Sequence, residues 1–216
     1  MFRKYFSHEF KTPIISIAGF AKLLKKGNLK EEQKKEYLDI IEEESLRLSY
    51  MATNVLNLTK VENQTILTDV TSYNLSEQIR ACVLLLENRW TKKKIEFSLE
   101  FDEYEINANE ELLKQIWINL IDNAIKFSTD YGMIMIRIKE SNDRYKISIA
   151  NTGTEIPKES MPKIFNKFYQ ADESHASEGN GVGLAIVKKI VDLHKGSIEV
   201  ESENGFTVFE IELDRK

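Results

Sequence analysis

Three side chains that could perform chemistry lie close together near the start of the chain, namely His8, Glu9 and Thr12. The apolar residues around them recur at steps of three and four, which predicts a helix with one apolar stripe. At about 100° per residue, His8 falls opposite that stripe and Thr12 shares its face one turn later. Pro13 cannot donate a hydrogen bond to the carbonyl of Glu9, so we expect the helix to weaken or kink here. In isolation this pattern favours a solvated surface histidine over a functional one.

A second polar cluster interrupts an apolar helical pattern at residues 110–127. Asn119 and Asn123 are four positions apart and therefore share one helix face, with Asp122 and Lys126 nearby. Carboxamide oxygens can ligate Mg²⁺, and a lysine ammonium can offset phosphate charge. Capping or surface exposure is the alternative, but two asparagines inside a helix run against propensity and favour a ligand role.

Two glycine-containing segments could bring their backbone close to a ligand. Residues 151–157 follow a predicted strand directly, and an ordinary strand-ending turn is the alternative interpretation. Residues 179–184 open a predicted helix, whose N-terminal amides would form an anion site. Their spacing is neither the Walker pattern nor the dinucleotide-binding pattern. The segment 158–178 between them is long for a connection, which favours a mobile lid over a nucleotide, with a disordered surface loop as the alternative.

The remaining pattern predicts an α+β multidomain chain. Two long amphipathic helices, joined near residues 27–30, form a hairpin that cannot enclose its own apolar stripes. We therefore expect it to dimerise into a four-helix bundle, although a monomeric hairpin packed on the rest of the chain is the alternative. The helices and mostly adjacent strands that follow predict an α/β sandwich with a mixed sheet and helices on one face. The expected domains are a hairpin at 1–65, a linker at 66–73 and a second domain at 74–216.

Composition narrows the possible partners and locations of the chain. The 216 residues are 42% hydrophobic with a formal net charge of -5, which gives no general affinity for nucleic acid. The single cysteine, Cys82, allows no disulfide within the chain, as is usual in a reducing compartment. No apolar run approaches the roughly eighteen residues of a membrane span. We expect a cytoplasmic chain without membrane contact of its own, with the intracellular part of a membrane-anchored sensor as the alternative.

Taken together, these segments resemble the sensor histidine kinases of two-component signalling over essentially the whole chain. The similarity implies a dimerisation and phosphoacceptor hairpin followed by an ATP-binding domain of the gyrase/Hsp90/MutL type. Each motif is modest alone, but their number and order are specific. The segments that resemble the family's H, N, G1, F, G2 and last glycine boxes are 7–13, 119–127, 151–157, 165–168, 179–184 and 205–209.

The resemblance implies a protein-histidine kinase, a transferase that uses ATP and Mg²⁺. His8 would attack the γ-phosphoryl group, with Glu9 accepting its proton, and the phosphoryl group would pass to an aspartate of a response regulator. Thr12 would orient water for the hydrolysis of that phospho-aspartate. Asn119 and Asn123 are the expected metal ligands. The residues that the resemblance places around the nucleotide are Asn119, Asn123, Lys126, Phe127, Asn151, Gly153, Ile156, Lys167, Gly179, Gly181, Gly183, Leu184 and Thr207.

The chain departs from the family pattern at three positions. The G1 segment has Asn151 where the family usually has Asp, and Glu155 where it has a second Gly, so we expect reduced or ordinary affinity for ATP. Gln170 stands where the family often has an arginine that contacts phosphate, and Lys167 is the expected substitute.

In hydrolysing relatives of this fold, a glutamate that activates water stands at the position of Asn119. Because an amide cannot act as that base, transfer to His8 should compete well with hydrolysis.

The expected partners are a second copy of the chain, bound through the hairpin, and a receiver domain of a response regulator. Ile15 falls on the same outward helix face as His8, so an exposed apolar side chain there predicts the docking contact for the receiver. Two alternative functions stay open. One is a phosphatase-dominant protein that uses Thr12 but phosphorylates slowly, and the other is a nucleotide-independent dimeric scaffold that binds a response regulator.

Overall fold

The computed structural model describes the backbone of residues 2–27, 29–171 and 181–215, and side chains within these ranges from residue 10 onward. It divides into two compact units, residues 1–59 and 60–216. The elements, in chain order, are α1 (Phe2–Lys26), α2 (Glu31–Asn63), β1 (Val70–Asn74), α3 (Leu75–Leu85), α4 (Glu87–Lys92), β2 (Glu96–Glu100), β3 (Glu105–Asn109), α5 (Glu110–Phe127), β4 (Met133–Ser141), β5 (Arg144–Thr152), α6 (Gly183–Leu193), β6 (Ser197–Glu203) and β7 (Phe206–Asp214).

The first unit is a helical hairpin, as the apolar periodicity predicts. Helix α1 continues through Pro13, and it ends at Lys26 before Gly27, which adopts a φ of 72°. A left-handed backbone of this kind suits glycine because it has no Cβ to clash with the preceding turn. The two helices pack against each other through Phe20 and Tyr37, whose ring centroids lie 5.1 Å apart.

The second unit is built on a five-stranded mixed sheet in the order β2-β4-β5-β7-β6. Strand β2 runs parallel to β4, and the other neighbouring strands are antiparallel. The alternation of buried and accessible residues along β4, β5 and β7 shows that one face of the sheet is covered. Helices α5 and α6 pack on the sheet, and α3 packs against α5. The predicted sandwich with a mixed sheet is therefore confirmed.

Helix α5 is the central element of this unit. Asn109 caps its N-terminus by accepting a hydrogen bond from the backbone amide of Leu112 at 2.9 Å, and Glu110 and Glu111 favour the positive end of the helix dipole. Its apolar face is fully buried between the sheet and the neighbouring helices. The buried residues of this face are Leu112, Leu113, Ile116, Trp117, Leu120, Ile121, Ala124 and Ile125. The polar side chains of the same helix are consequently held on a rigid support.

Two features of the second unit differ from the sequence expectation in detail. A small two-stranded antiparallel sheet pairs β1 with β3, so the C-terminal part of the expected linker, from Val70, is strand. The apolar spacing of residues 75–90 predicts a single helix, but the structure divides it at Leu86, whose φ of -99° and ψ of 10° separate α3 from α4. Among the described residues, no helix combines the length and apolarity needed to cross a membrane.

Candidate functional site

The polar face of α5 meets the N-terminus of α6. A Cβ placed on Gly183, the first residue of α6, would lie 2.6 Å from the side-chain oxygen of Asn119. Asn119 is held in this orientation because its amide nitrogen donates to the carbonyl of Gln115 at 2.7 Å. A side chain at position 183 would displace the Asn119 amide, so glycine here lets the Asn119 oxygen lie close to the helix N-terminus.

The C-terminal end of α5 is joined to the segment that leaves β5. Gly153 forms a β-bridge with Ser128, and the backbone amide of Thr154 donates to the carbonyl of Phe127 at 3.1 Å. Gly153 has a φ of 149°, and a Cβ there would lie 2.0 Å from the carbonyl oxygen of Phe127. This glycine is therefore required both by its backbone conformation and by the close approach of the neighbouring chain.

The β6–β7 hairpin lies against the same segment. Asn151 is 3% exposed and stands opposite Thr207 in the strand register, with Thr207 also buried. The amide of Gly153 donates to the carbonyl of Gly205 at 3.0 Å, and the amide of Gly205 donates to the carboxylate of Glu155 at 2.7 Å. Glu155 thus links the segment after β5 to the tip of the β6–β7 hairpin by a hydrogen bond.

Two further contacts fix this second hairpin and the segment after β5. The backbone amide of Ile156, a residue of the expected nucleotide site, donates to the hydroxyl of Ser202 at 2.8 Å. The Ser202 hydroxyl in turn lies 2.7 Å from the hydroxyl of Thr207, so a partly buried chain of hydrogen bonds runs from β6 to β7. Ser202 was not among the predicted site residues, because its role depends on the pairing of two strands rather than on a local motif.

The aromatic segment before α6 is anchored to the glycine-rich segment. The amide of Phe168 donates to the carbonyl of Gly181 at 2.7 Å, and both residues have left-handed backbones, with φ values of 62° and 63°. Such a conformation is uncommon for a residue with a bulky side chain. Lys167, the expected phosphate contact, forms an ion pair with Glu62.

The positive groups of the site lie on α5 and at the start of α6. The ammonium of Lys126 lies 4.8 Å from the centre of the Phe127 ring, which places a cation and an aromatic face side by side. The N-cap residue of α6, Val182, supplies no side-chain hydrogen bond to the first turn. The amides of that turn are therefore suited to receive an anion, because a helix N-terminus carries partial positive charge.

The side-chain oxygens of Asn119 and Asn123 are compatible with a binding site for Mg²⁺. The oxygen of Asn119 is directed to the α6 N-terminus, and Asn123 lies one turn later on the same helix. Neutral oxygen ligands suit Mg²⁺, which binds to nucleotide phosphates and keeps several waters. In the described part of the chain, no group of three or more His, Cys, Asp or Glu side chains could hold a metal ion.

The far ends of α5 and α6 are linked to each other by His194. Its Nδ1 lies 2.8 Å from the carbonyl of Ile190 and donates to it, while its Nε2 accepts from the amide of Asn109 at 3.3 Å. Burial lowers the pKa of His194 from its ordinary value of 6.5, although the bond to Ile190 opposes the shift. Asn109 also donates to the carbonyl of Thr68 at 2.9 Å, so the segment before β1 is tied to the same point.

The structure brings together most of the predicted nucleotide residues. Asn119 lies beside Gly183 of α6, Phe127 contacts the segment after β5, and Asn151 pairs with Thr207. Asn123 and Lys126 lie on the same helix, α5. Gly179 lies outside the described residues, as do the side chains of His8 and Glu9. Thr12 is exposed on α1.

Comparison with known proteins agrees with this arrangement. Residues 2–64 match the family described as His Kinase A (phospho-acceptor) domain. Residues 108–216 match the family described as Histidine kinase-, DNA gyrase B-, and HSP90-like ATPase. The Heme sensor protein HssS of Staphylococcus saprophyticus is 32% identical over 206 residues, which cover 95% of this chain and 44% of that protein.

Another relative is the signal transduction histidine-protein kinase ArlS of Staphylococcus aureus, which is 31% identical over 209 residues, covering 95% of this chain and 46% of that protein. The chain spans less than half the length of these relatives.

Solved structures share both units. Histidine kinase ThkA in complex with response regulator protein TrrA is 31% identical, with a TM-score of 0.80, covering 97% of this chain and 60% of that one. Full-length ShkA in complex with AMPPNP is 28% identical, with a TM-score of 0.72, covering 96% of this chain and 44% of that one. The second unit is thus an ATP-binding domain of the gyrase and HSP90 type. The chain belongs to the two-component sensor histidine kinases and forms a catalytic core of that family.

Proposed function

We propose that the chain transfers the γ-phosphoryl group of ATP to His8 and then to an aspartate of a response regulator. The observation that carries the proposal is the convergence of α5, the segment after β5 and the N-terminus of α6 on one site, in a chain whose residues 2–64 match a phosphoacceptor family. The second unit binds the phosphoryl donor, and the first unit carries the acceptor.

Each part of the site has a role in holding the nucleotide. The amides at the start of α6, at Gly181 and Gly183, and the ammonium of Lys126 bind the phosphates. Phe127 packs against the adenine ring, and the side-chain oxygen of Asn151 accepts a hydrogen bond from the adenine amine. Ile156, Leu184 and Thr207 line the remainder of the pocket. The complex of full-length ShkA, a relative with the same fold, with AMPPNP supports the binding of a nucleotide.

Phosphoryl transfer then needs a nucleophile and a compensation of charge. A nitrogen of His8 forms the N–P bond as the bond to the ADP oxygen breaks, and Glu9 accepts the proton from the other imidazole nitrogen. Mg²⁺, held by Asn119 and Asn123, would neutralise charge on the phosphates. Because Asn119 is an amide, it provides no base for water, which leaves His8 as the favoured acceptor.

The hairpin supplies the interfaces for two protein partners. Ile15 is 58% exposed on α1, which suits docking of a response-regulator receiver domain. The complex of ThkA with its regulator TrrA supports a partner of this class. Leu38, Leu46 and Leu56 of α2 are also exposed, as expected when apolar surface is reserved for a second copy in a four-helix bundle. Thr12, exposed one turn after His8, would orient water to dephosphorylate the bound regulator.

Incubation with γ-labelled Mg-ATP tests the kinase activity directly. We expect a label on the chain that is stable to base and labile to acid, as for a phosphohistidine. The label should be lost in His8→Gln and retained in His194→Gln, a matched control at a histidine away from the nucleotide site. Absence of both label and nucleotide binding at millimolar ATP would overturn the proposal and favour the nucleotide-independent scaffold.

The same assay separates the phosphatase-dominant alternative. That alternative predicts slow labelling but rapid loss of phosphate from a phosphorylated regulator. Thr12→Ala should keep autophosphorylation and lose the dephosphorylation of the regulator. If both activities fall together in Thr12→Ala, the separate role of Thr12 is excluded.

A further inference from the structure

Lys93, which immediately follows α4, contacts the C-terminal end of α5. Its ammonium donates to three backbone carbonyls, those of Ile125 at 3.0 Å, Lys126 at 2.7 Å and Ser128 at 3.1 Å. The side chain is half-buried, and the residue is also held through its backbone, because its carbonyl accepts from the amide of Tyr131 at 2.9 Å. One residue thus binds both the end of the helix and the turn that follows it.

These contacts complete the hydrogen bonding at the end of α5. The carbonyls in the last turn of a helix have no partner within the helix, and they carry partial negative charge. Lys93 donates to two of these carbonyls, those of Ile125 and Lys126, and to the carbonyl of Ser128, which follows the helix. The remaining carbonyls have other partners: that of Ala124 accepts from the amide and hydroxyl of Ser128, and that of Phe127 from the amide of Thr154. An ammonium has three donors, so Lys93 is fully used.

The position of this contact connects it to the nucleotide site. Lys93 binds the carbonyl of Lys126 and that of Ser128, the residues on either side of Phe127. Lys126 and Phe127 are the two residues of α5 proposed to bind phosphate and adenine. We propose that Lys93 is a positioning residue that holds the C-terminal turn of α5 in its nucleotide-binding conformation. This inference rests on the proposed function, since it concerns the same site, but the Lys93 ammonium donates to backbone carbonyls and is not itself among the residues proposed to bind nucleotide.

The test uses Lys93→Met, which keeps most of the side-chain volume and removes the donors. Lys94→Met is the matched control, because Lys94 is exposed and its ammonium contacts only the Tyr131 side chain among the described residues, with the hydroxyl oxygen at 2.9 Å. Calorimetry with Mg-ADP should give a dissociation constant about tenfold weaker for Lys93→Met and within about twofold of wild type for Lys94→Met. Lys93→Arg should recover part of the loss.

Two additional measurements separate positioning from a general loss of stability. In autophosphorylation, Lys93→Met should raise the KM for ATP with little change in kcat, because the bound nucleotide reaches the same transition state. A double-mutant cycle combines Lys93→Met with Lys126→Met. The double variant should lose less binding free energy than the sum of the losses in the two single variants, since Lys93 acts through the turn that carries Lys126. Simple additivity, or unchanged Mg-ADP affinity in folded Lys93→Met, overturns the inference.

Failure of the proposed function gives a different result. In that case the wild-type chain itself would bind no Mg-ADP, and the role of Lys93 in nucleotide binding would fall with it. Hydrogen exchange at the Ser128 and Thr154 amides then distinguishes the two parts, because Lys93→Met should accelerate exchange at both sites whether or not nucleotide binds. Equal exchange rates in Lys93→Met and wild type would refute the contact itself.

Discussion

Replacement of Gly153 by alanine should damage the second unit through two separable effects. A methyl group there would lie 2.0 Å from the carbonyl oxygen of Phe127, about 1 Å inside the 3.0 Å below which real Cβ atoms essentially never approach another heavy atom. The neighbouring atoms are backbone and cannot turn away. The φ of 149° adds strain, because residues with a side chain rarely adopt it. Together these effects should destabilise the unit by about 3 kcal/mol.

Gly205→Ala provides the matched control. Gly205 also has a positive φ, 77°, but a Cβ there would meet nothing within 4 Å. Its replacement should therefore cost only the backbone strain, about 1 kcal/mol. The difference between the two variants, about 2 kcal/mol, contains the clash with the end of α5 and the greater strain at a φ of 149°.

Urea unfolding followed by tryptophan fluorescence measures both variants. The chain contains two tryptophans, Trp90 and Trp117, and both lie in the second unit, so the signal reports that unit alone. Gly153→Ala should also weaken binding of Mg-ADP, since the bridge to Ser128 lies beside Phe127. Equal destabilisation by Gly153→Ala and Gly205→Ala would refute the steric argument, because it would leave backbone strain as the sole cause.

Three further outcomes follow from the contacts described above. Since burial lowers the pKa of His194 from 6.5, the neutral side chain should contribute fully to the free energy of unfolding above pH 6.5. That free energy should decline as the pH falls from 6.5 towards the lowered pKa, by at most about 1.4 kcal/mol per pH unit. Urea unfolding of His194→Gln should show a weaker decline. Ile15→Ala should slow phosphotransfer to the regulator roughly tenfold without changing autophosphorylation, and equal loss of both rates would exclude docking at that residue. Glu155→Ala, which removes the acceptor of the Gly205 amide, should weaken Mg-ADP binding about threefold, with Glu155→Gln intermediate; identical affinities would show that this exposed bond is dispensable.

The elements that carry a local pattern could be predicted from the sequence. The start and end of α5 follow from a capping asparagine and an uninterrupted apolar stripe, and the β6–β7 turn follows from Asn204-Gly205, whose φ values of 55° and 77° are those of a tight hairpin turn. The grouping of the glycine-rich segments around α5 was reached by resemblance, because no local rule brings residues so distant in sequence together.

Contacts between distant segments could not be predicted in the same way. Lys93 and the carbonyl of Ile125 are 32 positions apart, and Glu155 and Gly205 are 50 apart. A lysine after a short helix or a glutamate in a turn is typical of solvent-exposed positions, so the sequence pattern gave no reason to select them. The β1–β3 pair was missed for a related reason, since its strands have five residues each and β1 is mostly exposed.

The parallel pairing of β2 with β4 has a consequence for the order in which the second unit folds. The β4–β5 and β6–β7 hairpins close through short turns and can form within microseconds, whereas β2 must wait for β3 and α5 to be placed between it and its partner. Lys93 lies three residues before β2, so its contact with α5 can form only when that strand docks. The nucleotide end of α5 should therefore be among the last regions to become ordered, and a newly synthesised chain should acquire ATP binding only after its sheet is complete.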